Sequence, residues 1–339
     1  MRVVHAVRSD AFAGVESHVA RLARAQVLAG DDVLVIGGDP GHMAVACGPR
    51  VRILPATTVS QVRLAVRRWA PGSDVVHAHM TAAEIACATA MVGVRTPLVV
   101  TRHFASERGS NPVSAVVGSA AGRRVDAQIS ISHYVADTIS GASVVIHPGV
   151  DSITATRPAA ERERVVLVAQ RLEREKDTEV AMRAFALSGA AGRGWRLDVA
   201  GDGAERARLV ALAGELGIGG STRFLGHRRD VLALMESAGV LLAPCRVEGL
   251  GLTVLEAMAA ALPVVAVGAG GHLETVGAAA AAALHPPGDV VRASELLTVL
   301  TTDAAHRDAY GAELQRVQRA HFTPSHQAER TAEVYRGVR

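Results

Sequence analysis

Short apolar runs alternate along this chain with longer stretches whose apolar positions recur every three or four residues. Val3-Val4-His5-Ala6-Val7 reads as a buried strand, and Val15, Val19, Leu22 and Ala23 then share one face of a helix that Gly30 closes. Asp32 to Ile36 is the next strand. The rhythm continues with strands near 51–54, 74–78, 97–101, 126–131 and 144–146, separated by helices 59–70, 81–92, 112–124 and 132–140. A Pro-, Arg- and Glu-rich stretch from His147 to Arg164 breaks it. A second series follows, with strands 165–169, 195–200, 222–225, 239–243 and 263–267 and helices 177–188, 203–216, 230–237 and 253–261. Three helical segments near 289–300, 304–320 and 325–337 close the chain. Apolar strands alternating with amphipathic helices predict an α/β chain with doubly wound, Rossmann-like parallel sheets. The length of 339 residues allows two such domains, each with its own core. We expect a first domain over 1–149 and a second over 150–324, with a terminal helix at about 325–339 returning to the first.

Open parallel sheets bind ligands beyond the C-terminal ends of their strands. That rule picks out Asp10 and Gly14 after the first strand, His77 and His79 after the fourth, and His103 after the fifth. In the second half it picks out Arg171, Gly201-Asp202-Gly203, Gly226-His227 and Glu248. A cleft between two such sheets would gather them.

The richest stretch is Glu248-Gly249-Leu250-Gly251-Leu252-Thr253-Val254-Leu255-Glu256. Its glycines allow backbone amides to approach a ligand, and the helix after them aims unpaired N–H groups and a positive dipole end at the loop. Carboxylates at both ends suit sugar hydroxyls, so the pattern fits a nucleotide-sugar. Thr253-x-x-Glu256 equally has capping-box spacing, in which Glu256 would bond only its own helix start.

Composition narrows the chemistry. Apolar content of 49% and charged content of 20% describe an ordinary globular chain, and a net charge of +3 is too small to argue for nucleic acid. The first 150 residues carry 14 Arg against 10 acidic residues, a weak basic bias compatible with an acidic acceptor or an anionic membrane face. Arg63, Arg67, Arg68 and Trp69 on helix 59–70 would serve such a face, or form a solvated helix surface. The chain opens directly into a strand with no signal peptide, and no apolar run is long enough to span a membrane. Cys47, Cys87 and Cys245 lack zinc or disulfide spacing and read as buried thiols of a cytoplasmic protein. His77-Ala78-His79 faces one way on a strand, but no carboxylate or further histidine follows at ligand spacing. Nor is there an Asp-x-Asp to carry a bridging divalent metal. Of 36 basic residues only one, Lys176, is a lysine. The exception suggests a site that needs a compact point charge. Arg171 and Lys176 then form either a solvated charge run or a pair that neutralises a leaving diphosphate.

Taken in order, these segments resemble the retaining GT-B glycosyltransferases of glycosyltransferase family 4. The likeness spans essentially the whole chain. It rests on the Gly14 loop, His103, Ser130-Ile131-Ser132, Val145-Ile146-His147-Pro148-Gly149-Val150-Asp151, Arg171-Leu172 with Lys176, Val199-Ala200-Gly201-Asp202-Gly203, Phe224-Leu225-Gly226, and Glu248 with Glu256 ahead of Ala257-Met258-Ala259. The resemblance implies two Rossmann-like domains facing a cleft. It places Gly14 by the donor diphosphate, His103 by the donor sugar, and Arg171 and Lys176 on the leaving group. Glu248 with Gly249, Leu250, Gly251 and Leu252 would contact sugar and phosphate, Glu256 the ribose, and Gly226 with His227 the base. The family pattern is departed from at Gln170, Asp177 and Ala261, where glycine is usual, and at Leu250, where an aromatic is usual.

The expectation is a metal-independent retaining transferase that uses no cofactor and moves a sugar from a nucleotide diphosphate donor, a UDP-sugar first, to a hydroxyl of a small-molecule or lipid acceptor. Asp10, His79, Glu107 and Arg108, with Arg123-Arg124, are candidate acceptor contacts. A nucleotide-sugar epimerase of the same double fold and a non-catalytic nucleotide-sugar-binding protein are the alternatives. The sequence does not set the oligomeric state.

Overall fold

The computed structural model of the chain describes residues 1–105, 121–154 and 156–339. They divide into two compact units: Met1–Gly149 together with Phe322–Arg339, and Val150–His321. The expected helix 112–124 falls largely outside the described residues.

The first unit holds seven strands: β1 (Arg2–Val7), β2 (Asp32–Ile36), β3 (Arg52–Leu54), β4 (Val75–His79), β5 (Leu98–Arg102), β6 (Ala127–Ser130) and β7 (Val144–Val145). They pair in the order β3-β2-β1-β4-β5-β6-β7, and every pairing is parallel. The central strands are valine-rich and buried on both faces, as a parallel sheet sandwiched by helices demands. The order reverses between β1 and β4, which makes that seam the switch point where ligands bind in such sheets. Helix Pro324–Val338 belongs to this unit and buries Tyr335 in the core with Val3, Val19 and Val75.

The second unit holds β8 (Val165–Ala169), β9 (Arg196–Ala200), β10 (Thr222–Gly226), β11 (Val240–Ala243), β12 (Val264–Val267) and β13 (Leu284–His285). Their order is β10-β9-β8-β11-β12-β13, again all parallel, with the switch point between β8 and β11.

Several elements differ from the periodicity reading, among them the unexpected strand β13. Helix Pro40–Cys47 was not expected, because it is short and buries only Met43 and Cys47; Asp39 starts it by accepting from the His42 amide at 2.8 Å. β4 runs on to His79, so His77 and His79 lie inside the strand, paired in register with β1 and β5, rather than beyond its end. The helix after the glycine loop covers Leu252–Ala259, shorter than the expected 253–261. It stops because Ala261 takes a left-handed φ of 51° and the Leu262 amide turns back to the Ala257 carbonyl at 2.9 Å. Asp177, also at φ 51°, stands at the other left-handed position where the family pattern has glycine. Changing Ala261→Gly should therefore raise stability by about 1 kcal/mol, read from denaturant unfolding. An unchanged or lower midpoint would contradict that account of the helix end.

Candidate active site

In the second unit the loops leaving β8 and β11 meet at the switch point. The first of them is tied down from two sides. Gly201 and Gly203 let the turn after β9 lie against it: a Cβ on Gly201 would stand 1.8 Å from the Gln170 carbonyl oxygen, and one on Gly203 2.4 Å from that of Leu172. The Gln170 side chain then donates to the Lys176 carbonyl at 2.8 Å and to Thr178 Oγ1 at 2.9 Å. The residue that replaces a family glycine is thus a clamp on the lysine loop.

Held this way, Lys176 Nζ donates to Glu248 Oε2 at 2.8 Å. The side chains are only 17% and 28% exposed, so the pair is partly shielded from water. Burial alone would lower the Lys176 pKa, but the facing carboxylate outweighs it and holds the ammonium above its ordinary range. Burial likewise pushes Glu248 up, and Lys176 more than reverses it, leaving the carboxyl below the usual glutamate value. Arg171 behaves differently. It is exposed and pairs along its own loop with Glu175 at 3.1 Å.

The loop after β11 leads through Gly249 and buried Leu250 to Gly251, which at φ 92° occupies the cap position of helix Leu252–Ala259. The cap residue is a glycine and the helix begins at Leu252, which puts Thr253 inside the first turn rather than at the cap position of a Thr253–Glu256 capping box. Leu252, Thr253 and Glu256 share its less buried face, while Val254, Leu255, Ala257 and Met258 face the core. Its first amides have no partner within the helix, which leaves an anion-binding end beside the Lys176–Glu248 pair. Behind the loop, the Gly271 amide donates to the Glu248 carbonyl at 2.9 Å. The His272 ring lies 3.3 Å from a Cβ placed on Gly251, and burial lowers its pKa to about 4, so it is neutral. Gly226 ends β10 and His227 beside it is exposed.

In the first unit, register brings His5 opposite His77 across β1 and β4, with His79 two residues on. His18 on helix Gly14–Leu28 and His103 just past β5 complete a buried group of five histidines. His79 bonds His5 at 3.0 Å and His103 at 3.2 Å; His77 bonds Tyr335 at 2.6 Å and Thr101 at 2.7 Å. Burial lowers His5 to about 4 and His103 to about 3, and holds His18, His77 and His79 well below the normal histidine value. Ring nitrogens of His5, His77 and His79, and of His18, His79 and His103, come within 4.8 Å of one another. Both nitrogens of His5, His77 and His79 already have hydrogen-bond partners, which a metal ion would have to displace.

Among the other expected site residues, Gly14 is the first residue of its helix and Asp10 is exposed in the loop before it. Glu107 and Arg108 lie outside the described residues. Arg124 bonds Asp126 and the carbonyls of Val94 and Thr96. On the helix Val59–Trp69, Arg67 donates to the carbonyls of Ala90 and Val92, and Arg52 and Arg68 cover the Trp69 ring. No helix among the described residues is long and apolar enough to cross a membrane. Sequence reasoning missed His5, His18, Gln26 and His272; a histidine inside the first apolar strand and the Gly270-Gly271 pair directly before His272 were the available signals.

Comparison with solved structures gives the class first. Anabaena HepE in complex with UDP-glucose superposes with a TM-score of 0.80 at 20% identity, covering 99% of this chain and 100% of that one. A sucrose-phosphate synthase from Thermosynechococcus elongatus gives 0.78 at 21% identity, with 99% and 98% covered. The fold is thus the GT-B arrangement of two Rossmann-like domains. Among curated relatives, a glycogen synthase of Mycobacterium tuberculosis is 30% identical over 331 residues, covering 90% of this chain and 76% of the relative. D-inositol 3-phosphate glycosyltransferase 1 of Catenulispora acidiphila is 30% identical over 332 residues, covering 86% and 77%. The model of Glycosyl transferases group 1 matches residues 151–316, and that of Glycosyltransferase Family 4 matches residues 12–152. The chain belongs to this glycosyltransferase family.

The neutral histidines make acid the weak side of the first unit. Unfolded, each ring takes a proton near 6.5; folded, His5 refuses it until about 4 and His103 until about 3. The unfolded chain therefore binds more protons throughout that window. Stability should fall as pH drops from about 6.5 toward 4, by roughly 1.4 kcal/mol per pH unit for each such ring. Thermal unfolding across that range checks this, and a flat profile would contradict it.

Proposed function

We propose that this glycosyltransferase moves a sugar from a nucleotide diphosphate donor, a UDP-sugar, to a hydroxyl of a small-molecule or lipid acceptor, with retention and without a bridging metal. The single observation that carries the reading is the Lys176–Glu248 pair, set beside the amide end of helix Leu252–Ala259 at a switch point. The only lysine of the chain is the one held there. Support for UDP comes from HepE, which was solved with UDP-glucose.

As the bond from the anomeric carbon to the diphosphate oxygen stretches, negative charge grows on the leaving phosphate. Lys176 and the helix amides meet that charge with a cation and dipoles already in place, which lowers the barrier without reorganisation, and Arg171 adds a second cation once it leaves Glu175. Glu248 orients Lys176 and accepts hydrogen bonds from sugar hydroxyls; Glu256 accepts from the ribose, and the backbone at Gly226 and His227 borders the base. The acceptor hydroxyl attacks on the face the leaving group vacates, and its proton passes to the departing phosphate oxygen. The absence of an Asp-x-Asp sequence supports fixed cations in place of a divalent metal.

A thermal-shift screen of UDP, GDP, TDP and ADP sugars should show the largest shift with a UDP-sugar. Mass spectrometry should then find nucleotide release that needs an acceptor and survives chelation. Lys176→Ala should cut turnover by about 100-fold or more with an unchanged circular dichroism spectrum. Parental turnover in that variant contradicts the site. Conversion of the donor without an acceptor points to an epimerase.

A further inference from the structure

Helix Val59–Trp69 buries Val62 and Val66 and turns Ser60, Arg63, Leu64 and Arg67 outward, one turn apart on a common face. It carries three arginines and no carboxylate. Arg67 Nη1 donates to the carbonyls of Ala90 at 3.0 Å and Val92 at 2.8 Å, which fastens the loop after helix Thr81–Ala90 against this face. From the other side Arg124 Nη2 holds the same loop through the carbonyls of Val94 at 3.1 Å and Thr96 at 2.7 Å. Between the two clasps the chain shows Val92 and Arg95 to solvent.

The result is a patch with an apolar centre and a cationic surround. A single exposed leucine is ordinary on a protein surface. Here Leu64, 66% exposed, and Val92, 70% exposed, flank one guanidinium, that of Arg67. Arg63, Arg68 and Arg95 stand exposed around them. Partly buried Trp69 ends the helix, with Arg52 at 5.3 Å and Arg68 at 5.9 Å from its ring. The carboxylates of Asp32 and Asp126 face Arg52 and Arg124 instead, so among the described residues none pairs with Arg63, Arg67, Arg68 or Arg95. The chain itself leaves this positive charge without a counter-charge.

We propose that this face docks the protein on an anionic phospholipid bilayer, with the arginines on headgroup phosphates and Leu64 and Val92 at the acyl boundary. Guanidinium forks match phosphate oxygens, and the apolar pair gains by leaving water. Nucleic acid would supply the phosphates but nothing apolar for Leu64 and Val92. The Trp69 ring, covered by two arginines, is not open for a base to stack on. The helix runs back toward the start of β4 and the loop leads into the start of β5, so the patch reaches the edge where strands begin. Ligand-binding groups of a parallel sheet gather at the opposite edge. Docking therefore leaves that edge of the first unit free, and it does not depend on which sugar or acceptor is used.

The test is cosedimentation of the full chain with vesicles of phosphatidylcholine alone and of phosphatidylcholine mixed with phosphatidylglycerol, at low and high salt. The expected result is binding to the anionic vesicles only, weakened by salt. Arg63→Gln with Arg95→Gln should lower vesicle affinity roughly fivefold per arginine. Leu64→Gln with Val92→Gln leaves the charge untouched and should lower it about tenfold. All four positions are exposed, so the circular dichroism spectrum should not change in either variant. Absence of binding to anionic vesicles overturns the proposal. Parental binding by the arginine variant also overturns it, because the contact then lies on another surface. Parental binding by the apolar variant reduces the contact to adsorption of a basic protein and overturns the docking face. Displacement of the vesicles by single-stranded RNA overturns it in favour of a nucleic-acid surface.

Discussion

A lysine ammonium and a glutamate carboxylate 2.8 Å apart, largely shielded from water, are the constraint around which the candidate site of the second unit is arranged. Such a pair is marginal for stability, since desolvation offsets much of the attraction. Its value is that the charge is already placed. Gln170 fixes the lysine loop by two hydrogen bonds, Gly201 and Gly203 let the neighbouring turn close on it, and Gly271 supports the backbone of Glu248. Each of these residues spends its conformational freedom on holding one cation beside one helix end.

The two units use one topological rule for opposite chemistry. Both gather polar groups where the strand order reverses, beyond or within the strands at that seam. In the second unit the groups are ionised and partly open to water. In the first they are histidines sealed from water and kept neutral, with hydrogen bonds rather than charges ordering them. Burial decides between the two: the same desolvation that the Lys176–Glu248 attraction overcomes has no counter-charge to oppose it around His79.

Much of this was legible in the sequence because it is local. Valine-rich runs spell the strands, Gly201 and Gly251 mark close turns, and a single lysine in an arginine-rich chain pointed to Lys176. The departures from the family pattern at Asp177 and Ala261 became intelligible only with φ values, since left-handed backbone is invisible in a one-letter code. Arg171 looked like a partner of Lys176, but a carboxylate four residues on in the same loop, Glu175, engages it. The histidine cluster was hidden for another reason. His77-Ala78-His79 was weighed against ligands nearby in sequence, while its actual neighbours come from residues 74, 258 and 24 positions away. Long-range pairing of that kind follows from strand order, which periodicity does not reveal.

Hydrogen–deuterium exchange of the full chain with and without UDP tests the central claim most directly. The account predicts slowed exchange at the amides of Gly251 to Leu255 and through the Arg171–Lys176 loop, where diphosphate would meet the helix end and the fixed ammonium. Protection elsewhere in the second unit with no change in those two segments would contradict it.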